Sequence, residues 1–330
     1  MRLTRTLIAV IISTGLAVSA CAPEQATKGS ANSFPDKPIE LVVPFSPGGA
    51  TDLTARVMAD ALSKELGVPV NVVNKPGAEQ ITGVDYVRKA RPDGTTLLAD
   101  GAASSSIQSL SANLPFAWDD RTFIGRLTSG PHVYTVAAKS PYKSLDELIA
   151  GLKQGSKKFR TSWSGGATTT DLAMLGLLKE AGVKLSDLSG VPFKSSGDIM
   201  QAVAAGNLDF GVGGASSAFA FASSGDVRVL AQTGTEPITQ LPDVPTTKEL
   251  GHADLDLTYW VGLSGPPGLP DATRQRLQDA LTKCAQDPGV VKKLENAGVS
   301  VSPLMGDEFK KYVTSEVGSF TELRKLGAGQ

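Results

Sequence analysis

The sequence predicts an α/β protein of two domains, and three observations carry that expectation. Short β-branched runs alternate with helix-spaced apolar runs along most of the chain. Two glycine-rich loops, at residues 46–52 and 161–170, each lead the chain into an apolar helical segment. A length of 330 residues with 41% hydrophobic side chains exceeds what one small core needs and favours two domains.

Composition narrows the function classes. A formal charge of -1, from 32 basic and 33 acidic residues, leaves no electrostatic footprint for nucleic acid or an acidic membrane surface. At the N-terminus Arg2 and Arg5 precede an apolar run at 7–18, too short for a membrane span and built like the core of a secretory signal. The run ends in Val18-Ser19-Ala20-Cys21, which resembles the bacterial lipobox, where cleavage precedes a cysteine whose thiol is then acylated. Residues 1–20 are therefore read as a lipoprotein signal peptide, with lipidation at Cys21; a plain signal with an incidental Cys21 is the alternative. Residues 21–34 are read as a flexible tether, because 22–33 are small, polar and without period. The protein is expected outside the cytoplasm, anchored to the membrane on its periplasmic or cell-surface side.

The mature chain opens with Ile39, Leu41, Val42 and Val43, a run suited to a strand buried on both faces. Ser46-Pro47-Gly48-Gly49-Ala50-Thr51-Asp52 follows. Gly48 and Gly49 can take positive φ and let a ligand approach the backbone, while Thr51 and Asp52 favour a helix start. Leu53, Val57, Ala61, Leu62 and Leu66 then recur at helical spacing. A strand, glycine loop and helix N-terminus in that order aim unpaired N–H groups and the positive end of a helix dipole at one spot, which suits an anion. The loop is neither a phosphate loop nor a dinucleotide fingerprint, and a tight structural turn is the plainer alternative.

The remaining elements follow in order. Residues 70–74 form a strand, 81–90 a helix, 91–94 a turn and 96–99 a strand, a βαβαβ pattern that implies a parallel sheet covered on both faces. A serine-rich stretch at 101–111 precedes a strand at 133–138 and a helix at 145–153. The loop at 161–170 repeats the opening theme ahead of Leu172, Leu175, Leu177 and Leu178. Residues 191–196, a helix at 198–205, a strand at 208–212 ending in Gly213-Gly214, and a strand at 227–231 continue a second α/β unit. The proline-rich 241–246 is a return loop, 257–264 a strand with Trp260 in its core, and 271–285, 288–297 and 307–326 are helices. Cys284 shares the apolar face of Leu277, Ala280 and Leu281 and reads as a core thiol.

Catalytic patterns are missing from the sequence. The two histidines, His132 after Pro131 and His252 after Gly251, read as surface or boundary residues. There is no nucleophile elbow, no metalloprotease helix motif and no cysteine pair for zinc. No cofactor, metal or catalytic residue is expected. An exported enzyme is the alternative from a different class, and a ligand-sensing receptor subunit is a third.

The order FPDKPIELVVPFSPGGATD, NVVNKPGA, RPDGTTLL, WSGGATTT, VPFKSS, and LPDVPT before YWVGLSGPPGLP resembles the extracytoplasmic substrate-binding proteins of tripartite tricarboxylate transporters, the Bug-type family, from Phe34 to the C-terminus. The resemblance implies a two-lobe, type II periplasmic-binding-protein-like fold. Lobe one would combine 35–133 with 242–330, and lobe two would be 134–241. A monomer would hold a small carboxylate in the interlobe cleft and deliver it to membrane permease subunits. Ser46, Pro47, Gly48, Gly49, Thr51 and Asp52 would form one clamp, and Ser164, Gly165, Gly166, Ala167, Thr168 and Thr169 the opposing one. Ala103, Ser104, Ser105, Phe193, Ser195, Gly213 and Gly214 would flank them.

The family usually carries glycine where Ala167 stands, often histidine where Asp171 stands, and Asp or Asn near Gly213 and Gly214, so the distal end of the ligand is expected to differ. Neither clamp loop holds Arg or Lys, which leaves backbone N–H groups, hydroxyls, helix termini and waters to bind the anion, with Lys194 the nearest cation in sequence. Asp52 is expected to cap its helix rather than meet the anion. Trp163 either packs on its own lobe or stacks on a flat aromatic acid anchored at Gly48 and Gly49.

Replacing Cys21 with Ser is expected to move the exported protein from the membrane fraction to the soluble fraction on cell fractionation. Recovery of both forms in the soluble fraction would rule out the lipid anchor.

Overall fold

The first strand, β1 (Ile39–Val43), lies between two parallel neighbours, and this arrangement fixes where the first glycine loop emerges. In the computed structural model, which describes residues 34–328 apart from 49, 156–157, 167, 194 and 235–236, β1 runs through the loop into α1 (Ala50–Leu66). Cys21, the signal and the tether lie outside the described residues. Next come β2 (Val70–Asn74), α2 (Ile81–Arg88) and β3 (Thr96–Gly101), so the first βαβαβ unit is as expected. Ile39 pairs with Val70 and Leu41 with Leu97.

The sheet does not stay parallel. After a short 3-10 turn at Ala102–Ser104, β4 (Thr122–Ala137) runs as one strand. The later elements are α3 (Leu145–Gln154), β5 (Arg160–Ser162), α4 (Thr169–Ala181), β6 (Ser189–Val191), α5 (Ser196–Ala204), β7 (Gly211–Gly214), α6 (Ala215–Ser223), β8 (Val227–Gln232), β9 (Thr258–Gly265), α7 (Asp271–Gln286), α8 (Pro288–Asn296), β10 (Ser300–Met305) and α9 (Gly306–Ala328). The main sheet has the order β10-β4-β9-β3-β1-β2, and β9 pairs antiparallel to both β3 and β4. β3 and β4 therefore point the same way, and the strands that run against them are β9, inserted between the two, and β10 at the edge beside β4.

β4 belongs to two groups of strands. Thr122 to Pro131 pairs with β9, and the remainder pairs with β7 and β8. The sequence pattern marks a strand only over its end, because Gly125, Gly130 and Pro131 interrupt the rest. Each glycine sits where a neighbour comes close: a Cβ at Gly130 would lie 2.2 Å from the Tyr259 ring, and one at Gly125 would lie 2.5 Å from the Met305 sulfur. The short β5 and β6 were not expected as strands, and two longer elements also escape the sequence pattern. They are α6, whose ASSAFAFAS carries no clear apolar stripe, and β10, which holds a proline and lies at the sheet's edge.

Four large clusters of buried side chains fill the fold, with a smaller one beneath α2. Met58 and Leu62 of α1 and Leu277 and Leu281 of α7 pack over β1. Cys284 lies in that core, where burial pushes its thiol up to about 12, as a core thiol requires. Leu53, expected on the same face, is 49% exposed, because helix rotation turns it outward. Tyr134, Val136, Phe210 and Val212 form a second core with α3 and α4, and α5 and α6 close a third against β4. A fourth joins Leu172 and Leu175 of α4 to Trp260 of β9 and to Phe309, Val313 and Phe320 of α9. No helix of the described residues is long and apolar enough to cross a membrane.

Within this fourth cluster Glu316 accepts hydrogen bonds from Trp260 Nε1 (2.8 Å), Tyr312 Oη (2.9 Å) and Ser106 Oγ. Burial pushes its carboxyl up to about 7, against the pull of those donors and of Arg126.

Leu62→Ala should destabilise the fold by about 2–5 kcal/mol, whereas Leu53→Ala should stay within about 0.5 kcal/mol; urea unfolding monitored by circular dichroism separates the two. Glu316 binds its proton more tightly in the folded state, so its contribution to stability is complete below the ordinary glutamate range and is lost as pH rises toward 7 and beyond. Glu316→Gln should therefore flatten the fall in melting temperature between acidic and mildly alkaline pH. An unchanged slope would place the titrating group elsewhere.

Candidate functional site

The first turn of an α-helix leaves N–H groups without intrahelical partners, and the sequence puts small or hydroxyl-bearing residues at several such turns here. Thr51 sits in the first turn of α1, and Thr168 caps α4 ahead of Thr169 and Thr170. Ser195 caps α5 ahead of Ser196, and Gly214 precedes α6 with its Ser216 and Ser217. All of these line one cavity of about 310 Å³, together with Gly101, Ala102 and Ala103 at the start of the 3-10 turn. The N-termini of α1, α4, α5 and α6 thus converge on one space, and Gln80 brings the N-cap of α2 to its edge. Phe45, Gln80, Ser164, Phe193 and Ile199 add to the wall, and His132, Tyr259 and Trp260 come from β4 and β9. None of the described lining residues is Asp, Glu, Lys or Arg.

Larger hollows lie elsewhere, but their linings differ in kind. The one between α4 and α9, about 520 Å³, is lined by Lys179, Glu180, Asp254, Asp256 and Glu322 and receives no helix N-terminus. The 310 Å³ cavity is at the low end of the range for small-molecule sites, about 300–1,000 Å³.

Each glycine loop is latched by the third residue of the helix it enters. Asp52 is buried, and its Oδ2 accepts from the Gly48 N–H at 2.9 Å. It also binds Arg56 (3.0 and 3.1 Å) and Asn74 (2.8 Å). Burial pushes its carboxyl up, and Arg56, the Gly48 N–H and Asn74 outweigh that and hold it below the ordinary range. Asp171 does the same for the second loop. Its two carboxylate oxygens accept from the N–H groups of Ser164 and Gly166, both at 3.0 Å. Gly48, Gly165 and Gly166 have φ of 90°, 84° and 80°, which a side chain would strain.

These latches alter the expected division of roles. The Gly48 N–H, expected to meet the anion, donates to Asp52 in this structure. Asp52 ties the loop to α1, Arg56 and Asn74, and it is absent from the cavity wall. Ser46, Pro47 and Gly48 are exposed beside the wall rather than on it. Gly49, Ala167 and Lys194 fall outside the described residues.

Of the other expected residues, Thr51, Ala103, Ser164, Thr168, Thr169, Phe193, Ser195 and Gly214 come together on the cavity. Ser104 and Ser105 turn away, each hydroxyl donating to Asp100 at 2.7 Å. Asp100 also pairs with Arg121 and accepts from Ser264, which fixes the 3-10 turn from behind. Gly213 backs onto α5, where a Cβ would lie 2.8 Å from Met200. Gly165 and Gly166 shape the loop behind the wall. Trp163 is half-buried and packs over Gly190, whose added Cβ would lie 2.7 Å from its own, and it is not on the wall.

His132 corrects the sequence reading most sharply. It is 2% exposed rather than superficial, because β4 carries it between β7 and β9. His252 is partly buried, with its ring nitrogens 2.8 Å from Asp146 and 3.1 Å from Glu180. The sequence held one overlooked signal for the site. Gly48-Gly49-Ala50-Thr51, Gly165-Gly166-Ala167-Thr168 and Gly213-Gly214-Ala215-Ser216 are three versions of one pattern, and the third marks α6 with Ser216.

Comparison with known proteins places this architecture. Residues 54–325 match the family model of the tripartite tricarboxylate transporter family receptor. A UPF0065 protein of Bordetella pertussis is 32% identical over 275 residues, covering 83% of this chain and 84% of its own. A ligand-free TctC solute-binding protein from Polaromonas superposes with a TM-score of 0.75 at 26% identity, over 88% of this chain and 99% of that one. MatC from Rhodopseudomonas palustris, solved with bound malate, gives a TM-score of 0.72 at 25% identity over the same shares, 88% and 99%. The fold is the two-lobe α/β fold of periplasmic binding proteins, as expected, and its family consists of solute receptors rather than enzymes. With its mixed sheet, its helix N-termini gathered on one cavity and a family match over most of its length, the chain belongs to the tripartite tricarboxylate transporter receptor family.

Proposed function

We propose that this protein is an extracytoplasmic solute-binding protein that captures a small carboxylate in the cavity and presents it to the permease subunits of its transporter. The observation that carries this reading is the convergence of the α1, α4, α5 and α6 N-termini on a space whose described lining bears no charged carboxylate, lysine or arginine. Each terminus offers N–H donors and the positive end of a dipole, and the adjoining Thr and Ser hydroxyls supply further donors. Hydrogen bonds to an ionised acceptor are worth about 1.5–3 kcal/mol each, so a handful supports micromolar affinity. The malate bound to MatC supports the carboxylate class.

Lobes dividing at 133/134 and 241/242 would close over the ligand, with the monomer held to the membrane through a lipid on Cys21. Within the carboxylate class, an aromatic acid would find ring partners in Phe45, Phe193 and Tyr259 on the wall, and Trp163 lies outside it. The residues proposed to contact the ligand are therefore Thr51, Ala103, Ser164, Thr168, Thr169, Phe193, Ser195 and Gly214 from the original expectation, joined by Ser196, Ser216 and Ser217.

Titration calorimetry with succinate, citrate, benzoate and butylammonium is expected to show binding by at least one acid and none by the amine. Gly214→Val should abolish acid binding with little change in circular dichroism. Gly214 has φ of -68° and its added Cβ would meet Tyr259 at an ordinary 3.5 Å, so the fold accepts a side chain that fills the cavity. Silence with every acid, or undiminished affinity in Gly214→Val, would overturn the reading.

A further inference from the structure

His132 is the one described lining residue that can become a cation, and no side chain pairs with its ring nitrogens. Its backbone N–H donates to Thr233 Oγ1 at 2.9 Å, which fixes the strand, but neither Nδ1 nor Nε2 stands in hydrogen-bond geometry with a partner, the Gly213 carbonyl only approaching the ring. Buried polar atoms in folded proteins are overwhelmingly paired, so an unpaired ring on a cavity wall points to a partner that arrives with the ligand.

The surroundings define that partner's chemistry. From β9 the Tyr259 ring packs on the imidazole with centroids 5.6 Å apart at 53°. From β7 come Gly213 and Gly214, with Gly214 directly opposite His132 in the strand register. From α5 and α6 the groups on the cavity are the hydroxyls of Ser196, Ser216 and Ser217. No acidic or basic side chain among the described lining residues shares the space. Burial pushes the imidazole down to about 4, with the Gly213 carbonyl pulling the other way, so the ring is neutral at ordinary pH. A carboxylate placed against it would favour the charged form and draw in a proton.

Resting on the carboxylate-capture reading, we propose that His132 is the specificity-determining residue of this cavity: it receives the second carboxylate of a short dicarboxylate whose first is held at the helix N-termini, and it gains a proton as that ligand binds. The helix termini serve any carboxylate. His132 then separates acids with two charged ends from acids with one, since no other described wall residue can offset the second charge.

The test is calorimetry of wild type, His132→Phe and His132→Gln with succinate and with butyrate, which has the same carbon count and lacks the second carboxylate. Repeating each titration in buffers of different ionisation enthalpy gives the protons exchanged. Wild type is expected to prefer succinate by about tenfold or more and to take up protons with succinate alone. His132→Phe should lose both the preference and the proton uptake while still binding butyrate. His132→Gln, which keeps a donor and an acceptor but cannot be protonated, should lose the proton uptake even if part of the preference survives. Should His132→Phe unfold, as melting would reveal, the glutamine variant decides. If the variants keep the succinate preference and the proton uptake, or wild type shows neither, the assignment is overturned and His132 is a wall residue over a trapped water. If no acid binds to wild type, the carboxylate reading falls and this assignment with it.

Discussion

Unpaired N–H groups at a helix N-terminus must find an acceptor, and in this protein four such termini share one neutral cavity. That requirement organises much else in the molecule. The strands before α1 and α6, β1 and β7, belong to the two groups that β4 joins by pairing with β9 at one end and with β7 and β8 at the other, while the strands before α4 and α5, β5 and β6, form a separate parallel pair. The glycines of β4 then follow from packing, since a side chain at Gly130 would collide with Tyr259. Trp260 stands on the cavity wall and is held from behind by Glu316, so α9 reaches the site without touching the ligand space.

The aspartate latches resolve a conflict within that design. A loop that offers its N–H groups to a ligand has unsatisfied donors while empty, and it needs glycines that loosen the backbone further. Asp52 and Asp171 accept some of those donors permanently and hold the positive-φ turns in place. The loops thereby become fixed walls, and the donors left free to face the cavity are those of the first helical turns and their hydroxyls, where geometry is set by the helix itself. Negative charge this close to an anion site is tolerable because Asp52 is paired with Arg56 and Asn74, and both carboxylates are turned into their loops.

Much of this was legible in the sequence wherever a local rule sufficed. The βαβαβ opening, the three C-terminal helices, Cys284 as core and the two glycine loops all announce themselves through period and turn chemistry. The site was legible where it lay in those loops, so Thr51, Thr168 and Thr169 were expected and are on the cavity. What local rules missed depended on partners distant in sequence. The first part of β4 looks broken by Gly125, Gly130 and Pro131 until β9 and β10 supply the reason. Ser104 and Ser105 face Asp100, Arg121 and Ser264 rather than the ligand, a choice made by a buried charge that no spacing reveals. His132 beside a proline looked superficial, and only the two-sided pairing of β4 buries it.

The neutrality of the cavity has a further consequence for selectivity. A lysine or arginine in the wall would bind every anion through its charge and discriminate mainly by valence. Donors fixed at helix termini instead discriminate by where an acceptor can be placed, and their partial charges fall off within a turn. A ligand too long or too broad to put its carboxylate among the first turns of α1, α4, α5 and α6 gains little from them, whatever its charge. Discrimination beyond the termini then falls to the wall residues that lie off them. In this chain those residues include Phe45, Gln80, His132, Phe193, Tyr259 and Trp260, and His132 is the one ionisable nitrogen base among them.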